Sequence, residues 1–152
     1  MTSEELDAAI LAECRAWIGT PYRHQASVKG VGCDCLGLLR GIWRAVRGRE
    51  PEAPPPYSPD WGDVSGGETL LAAAGRHLVR TEAIAPARVL LFRWHPHLPA
   101  KHVGIVLDKR TFIHACEHAG VAKARLSGQW LRRVAGIYHF PAAANSTVKS
   151  ER

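Results

Sequence analysis

The sequence predicts an α+β domain, with helices in its first part and an antiparallel sheet in its second. Apolar residues recur at three- and four-residue intervals over residues 3–18 and again over 35–47, the period of helices packed along one side. From Arg88 onward the pattern changes to short apolar runs separated by Gly, Pro or charged turns. The two kinds of segment do not alternate, which argues against a doubly wound parallel sheet. At 152 residues, 46% of them hydrophobic, the chain is long enough to bury one core. A single domain over residues 1–141 is expected, followed by a small, polar, flexible tail over 142–152.

The first helix starts at Thr2 or Ser3, where Thr2 and Glu5 have the spacing of a capping box, and Gly19 before Thr20-Pro21 ends it. Cys14 falls on its apolar side with Leu6, Ile10, Trp17 and Ile18, and reads as core. A turn over Gly19 to Arg23 and a loop to Gly32 deliver the chain to the second helix. There Asp34 is a good N-cap and Leu38, Leu39, Ile42, Trp43 and Val46 form the apolar side. Arg40, Arg44 and Arg47 lie toward the negative end, and Gly48 follows the last turn. Five prolines between Glu50 and Pro59 forbid helix and central strand alike, leaving an extended connector. Helical composition resumes from Asp60 to Leu78. Strands are predicted over 89–92, 103–107, 111–115, 121–124 and 136–140, spaced closely enough for an antiparallel meander, with a brief helical turn over 129–133.

Lys and Arg outnumber Asp and Glu by 20 to 14, a net charge of +6 that favours an anionic partner. The basic residues form no tract and accompany no nucleic-acid motif, so an anionic polymer such as a bacterial wall suits the charge and nucleic acid is not expected. The acidic start, Met1 to Asp7, lacks the pattern of a secretory signal, and no apolar stretch has the length to cross a bilayer. Synthesis and folding in a reducing cytoplasm, without membrane insertion, are therefore expected, with Cys14, Cys33, Cys35 and Cys116 free.

Cys35 carries the chemical signal. It stands in the first turn of the second helix, where unpaired backbone N–H groups and the macrodipole favour a thiolate. A buried, chemically silent cysteine is the alternative. Eight histidines offer a base. His102 opens a strand after a loop, a rigid position from which active-site groups are displayed. If Leu107 faces Thr111 across the short turn at Asp108-Lys109-Arg110, His114 lies opposite Gly104, on the same face as His102 and diagonal to it. A slip of one residue would put the two on opposite faces. Such an arrangement suits acyl transfer: Cys35 attacks an amide carbonyl, His102 partners the thiolate and protonates the leaving amine, and His114 fixes the His102 tautomer. The Cys35 N–H is a natural oxyanion donor. No metal or organic cofactor is required.

Gly32-Cys33-Asp34-Cys35-Leu36-Gly37-Leu38-Leu39 resembles the Asp-Cys-Ser-Gly-Leu-Val motif of the NlpC-like cysteine peptidases, papain-fold enzymes that cut peptidoglycan peptides. Ile18-Gly19-Thr20-Pro21-Tyr22-Arg23 is similar to the family's Gly-x-Pro-Tyr segment, His102-Val103-Gly104-Ile105-Val106-Leu107 to its His-Val-Gly-Ile motif, and His114 falls on its third polar position. Four motifs in order cover roughly residues 6 to 140. The resemblance implies Cys35 as nucleophile, His102 as base, His114 as orienting residue and Tyr22 beside the nucleophile in the oxyanion region. It also implies cleavage of a γ-D-glutamyl-diaminopimelate linkage. Leu36 replaces the usual Ser, as in the family's phage-tail branch, and Ala87-Arg88 replaces the usual Gly-Asp. The resemblance therefore points to a component of a phage or gene transfer particle, held by tail-tip or hub proteins and acting at the wall in the periplasm. A catalytically silent tail protein on the same fold is one alternative, and zinc held by Cys33, Cys35, His102 and His114 another. Cys33 reads as a loop thiol or a redox partner of Cys35. Trp17, Trp43 and Trp130 read as core, Trp61 and Trp94 as groove residues, and His95, His97, His118 and His139 as loop or surface.

Overall fold

A computed structural model describes residues 1–52, 54 and 67–142; the expected tail beyond Ala142, Trp61 and most of the proline-rich connector lie outside the described residues. The chain opens with α1, Ser3–Trp17, whose start is fixed as the sequence requires: Thr2 Oγ1 accepts from the Glu5 N–H at 3.0 Å and the Glu5 carboxylate accepts from the Thr2 N–H at 2.7 Å. Leu6, Ile10, Cys14 and Trp17 face the core, whereas Ile18 falls past the last turn and is exposed. Gly19 adopts φ +93°, a left-handed conformation that suits glycine, and its N–H bonds the Val121 carbonyl at 2.9 Å.

Between the helices lies a small hairpin that the sequence does not announce, β1 (Ser27–Val28) with β2 (Gly32–Cys33). The second helix, α2, runs Cys35–Arg47 and packs on α1 and on the sheet. Arg40 and Arg44 do more than complement the helix dipole. Both bind the Glu50 carboxylate at 2.7 Å, and Arg44 also bonds the Ser27 carbonyl, tying the connector and the hairpin to α2. Only Thr69–His77 of the expected helical stretch is seen as helix, α3, with residues 60–66 outside the described residues.

Six strands form one antiparallel sheet: β3 (Val79–Thr81), β4 (Val89–Phe92), β5 (His102–Val106), β6 (Thr111–Cys116), β7 (Gly120–Arg125) and β8 (Val134–His139), with the short helix α4 (Gly128–Leu131) before the last. From β4 to β7 the strands follow one another as the expected meander. The last strand then returns to the far side of β4, and β3 adds an outer edge, giving the order β3-β8-β4-β5-β6-β7. Ile105 pairs with Ile113 and Val106 with Phe112, the register that Leu107 facing Thr111 requires.

Alternation along the strands divides the apolar residues between two faces. Leu91, Val103, Ile105, Ile113 and Ala115 pack with α1 and α2 in the main core. On the other face Leu90, Phe92, Val106 and Phe112 form a second cluster, closed by Trp130. Among the described residues no helix is long and apolar enough to cross a membrane.

Candidate active site

Asp34 sets the position of Cys35. One of its carboxylate oxygens accepts from the Gly37 N–H at 2.7 Å and the other from the Gln25 N–H at 2.7 Å, so a single side chain caps α2 and fastens the preceding loop. Gly37 is needed for that closeness, because a Cβ there would lie 1.8 Å from the Ala26 carbonyl oxygen. Cys35 is thereby fixed as the first residue of α2, 9% exposed. Its thiol donates a long hydrogen bond to the Lys101 carbonyl at 3.9 Å, and the Val103 N–H reaches the same sulfur. Those two groups bracket His102 in the chain, so the sulfur sits against the start of β5.

His102 and His114 project from the face of the sheet opposite α2. Nε2 of His102 lies 2.8 Å from Nδ1 of His114, the adjacency that the register demands. Nδ1 is then the His102 nitrogen left for a reacting proton. Aromatic rings hold the pair: Trp94 lies 4.9 Å from the His102 ring, Trp130 stacks on it at 6.0 Å and meets His114 edge-on at 5.1 Å, and Phe112 lies 4.9 Å from His114. A cavity of about 440 Å³ joins the two sides of the sheet at this strand end, and Cys35, His102, His114 and Tyr22 all line it.

Loss of water governs the protonation states. Burial pushes the Cys35 thiol up to about 12, and the Asp34 charge adds to this, against the N–H groups of Val103, Leu36 and Cys35 itself. Burial and then the neighbouring His114 push His102 down to about 3, and burial takes His114 down to about 4. The thiolate suggested by the helix position is therefore corrected. A carboxylate cap one residue away and exclusion of water outweigh the helix end, and the resting pair is a neutral thiol with a neutral imidazole. A neutral imidazole in that place has the free lone pair that general-base chemistry requires. Burial, followed by the charges of Cys35 and Asp34, pushes the Tyr22 phenol up to about 12, so it remains a protonated hydrogen-bond donor.

Other residues fall differently from their sequence reading. Cys33 is fully buried on β2, with burial and then Asp34 pushing its thiol up to about 12; it belongs to the core and is closed to soluble oxidants. Among the described residues no three His, Cys, Asp or Glu side chains are grouped to hold a metal ion, so the four-ligand zinc set is not assembled. Trp94 lines the cavity, as a groove residue should, and exposed His118 stands on the rim. Trp130, read as core, is a wall of the site, and Cys116 lies in it with no role assigned from the sequence. Its place two residues beyond His114 on one strand was the available signal. For Trp130 there was none, since only the return of the chain after β7 brings it to the histidines.

No family model matches the chain, and no curated protein matches it. Solved structures do. The NlpC/p60 domain of the peptidoglycan hydrolase SagA superposes with a TM-score of 0.59 at 23% identity, covering 88% of this chain and 98% of that one. An NlpC/P60 family protein from Bacillus cereus gives a TM-score of 0.64 at 16% identity over 88% of this chain, and NlpC2 from Trichomonas vaginalis 0.63 at 19% over 92%. The present chain spans 40% and 48% of those two proteins. With α1 and α2 on one face of a six-stranded antiparallel sheet and a cysteine at a helix start beside a histidine strand, the chain has the papain-like α+β fold of the NlpC/p60 domains.

Proposed function

We propose that this protein is a cysteine peptidase that hydrolyses amide bonds in peptidoglycan stem peptides. The observation that carries the reading is the one cavity lined by Cys35, Tyr22 and the bonded pair His102 and His114. Cys35 Sγ attacks the amide carbonyl carbon while His102 Nδ1 takes the thiol proton and passes it to the leaving amine. Water then cleaves the thioester, with His102 again the base. His114 accepts from His102 Nε2 and holds the imidazolium in place. The Cys35 N–H and the Tyr22 hydroxyl supply the oxyanion donors. The substrate class is supported by the fold shared with a peptidoglycan hydrolase domain and by the +6 charge, suited to an anionic wall.

The narrower reading is a γ-D-glutamyl-diaminopimelate endopeptidase made in the cytoplasm, assembled with the tail-tip or hub proteins of a phage-like particle and acting at the wall. Its support is the sequence resemblance, with Leu36 in the Ser position. Digesting purified peptidoglycan and weighing the fragments tests both levels. Cys35→Ala should abolish release while leaving the melting temperature within a few degrees of wild type, and His102→Ala should be as severe. His114→Ala should retain part of the rate, because an orienting group contributes less than the base it orients. Unchanged release by Cys35→Ala would end the peptidase reading; fragments not terminating at D-glutamate would end only the choice of bond.

A further inference from the structure

We propose that Arg133 is a specificity-determining residue: its guanidinium binds a carboxylate that the substrate peptide carries one or two residues from the amide attacked by Cys35. This deepens the peptidase reading above and rests on it. Arg133 lies between α4 and β8, and its backbone is pinned on both sides. Its N–H bonds the Trp130 carbonyl at 2.9 Å, and its own carbonyl accepts from the N–H of Arg93, the neighbour of Trp94, at 2.8 Å. The guanidinium carbon is thereby brought over both tryptophans, 5.7 Å from the Trp94 ring and 5.6 Å from the Trp130 ring. Those rings line the cavity that holds Cys35, and each also packs on His102, at 4.9 and 6.0 Å. Arg133 is thus one indole ring away from His102.

Its charge is unspent. Arg40, Arg44, Arg76, Arg88 and Arg93 each pair with a carboxylate of this chain. Half-buried Arg133 meets the two rings and, among the described residues, no carboxylate. A guanidinium stacked by its flat face keeps its N–H groups in the plane, directed past the rings, and they form the fork that a carboxylate accepts in bidentate fashion. The carboxylates of the cavity, Asp34 and Glu117, gather about Tyr22, where their charges help to hold its phenol protonated. Negative charge and Arg133 therefore stand beside different walls, an asymmetry that orients an anionic peptide. An extended peptide advances about 3.5 Å per residue, so a ring's width from His102 corresponds to one or two residues of substrate. In a γ-linked stem the glutamyl α-carboxylate and the carboxylates of diaminopimelate both fall within that span.

Three synthetic stem peptides test this: one with free carboxylates, one with the glutamyl α-carboxylate as carboxamide, and one with the diaminopimelate carboxylates as carboxamides. Wild type should cleave the first about ten- to hundredfold better in kcat/KM than one of the other two, which identifies the carboxylate bound. Arg133→Gln should bring that ratio close to one, chiefly through KM. Arg133→Lys, which keeps a charge without the fork, should leave an intermediate ratio. Wild type indifferent to both amidations would overturn the proposal. So would a ratio that survives in Arg133→Gln with equal loss on all three peptides, since Arg133 would then only brace the tryptophans. Should the glutamine variant fail to fold, the wild-type and lysine ratios still decide. Calorimetric titration of Cys35→Ala with the same peptides repeats the comparison without turnover. Carboxylate-dependent binding there, in a protein whose wild type cuts no peptide, would end the peptidase reading and leave Arg133 as a carboxylate site.

Discussion

Cys35 and His102 share a cavity yet ionise in opposite directions from their ordinary values, because each loses more from leaving water than it gains from its neighbours. The helix start supplies N–H groups to the sulfur, and they help, but Asp34 stands one residue away with a full negative charge. A measurable consequence separates this resting state from a stored ion pair. Alkylation of Cys35 by iodoacetamide, followed peptide by peptide in a mass spectrometer, should keep rising with pH past the ordinary thiol value. A rate that levels off below about pH 7 would instead show a thiolate held by an imidazolium. A general base must be neutral to act, and in the proposed reaction the low value of His102 would keep it so at neutral pH.

At the scale of elements, the start of α2 positions the sulfur through the Asp34 cap, which the sequence spells out locally, and through the close approach of Gly37 to Ala26, which it does not. Asp34→Ala should cost about 1–2 kcal/mol, the loss of an N-cap, and should also release Gln25, which Asp34 holds at φ +67°. Gly37→Ala should be worse for activity than for stability. The added methyl must push either the Ala26 carbonyl or the first turn of α2, and both carry the position of Cys35. Thermal melting alongside peptidoglycan digestion checks the pair; a Gly37→Ala enzyme with wild-type turnover would show that the first turn need not be held. The Asp34 cap, the helical periods and the short turn between β5 and β6 were legible because they are written in neighbouring residues. The pairing of Val79–Thr81 with β8 was not, since its partners lie almost sixty residues apart and three residues carry no period. Nor was the hairpin at Ser27 and Gly32, with two residues in each strand. In the site, Cys35, His102 and His114 could be chosen from their positions on a helix start and one strand face. Trp130 and the direction of the thiol's shift could not, because both depend on what the folded chain closes off from water.

For the molecule as a whole, the same buried groups set a pH window for stability. The folded values of His102 and His114, about 3 and about 4, lie below the ordinary 6.5. Below pH 6.5 the unfolded chain therefore binds protons that the folded chain refuses, and stability falls as the solution is acidified toward those folded values. Cys14, Cys33 and Cys35 behave in the opposite sense. Burial holds each at about 12 against an ordinary 9.0, so above pH 9 the unfolded chain releases protons first and stability falls again. Carboxylates such as Glu52, held below its ordinary 4.5 by hydrogen bonds from His77 and Arg76, withdraw their support only in stronger acid. The interval from pH 6.5 to 4.5 thus isolates the histidines. Urea unfolding should show greatest stability between pH 6.5 and 9, with a loss of at least about 1 kcal/mol by pH 4.5. His102→Gln with His114→Gln should flatten that acid limb while leaving the alkaline one in place. Wild-type protein equally stable at pH 4.5 and 7 would mean that the two rings are not shut away from water in solution, and the neutral base assigned to His102 would go with them.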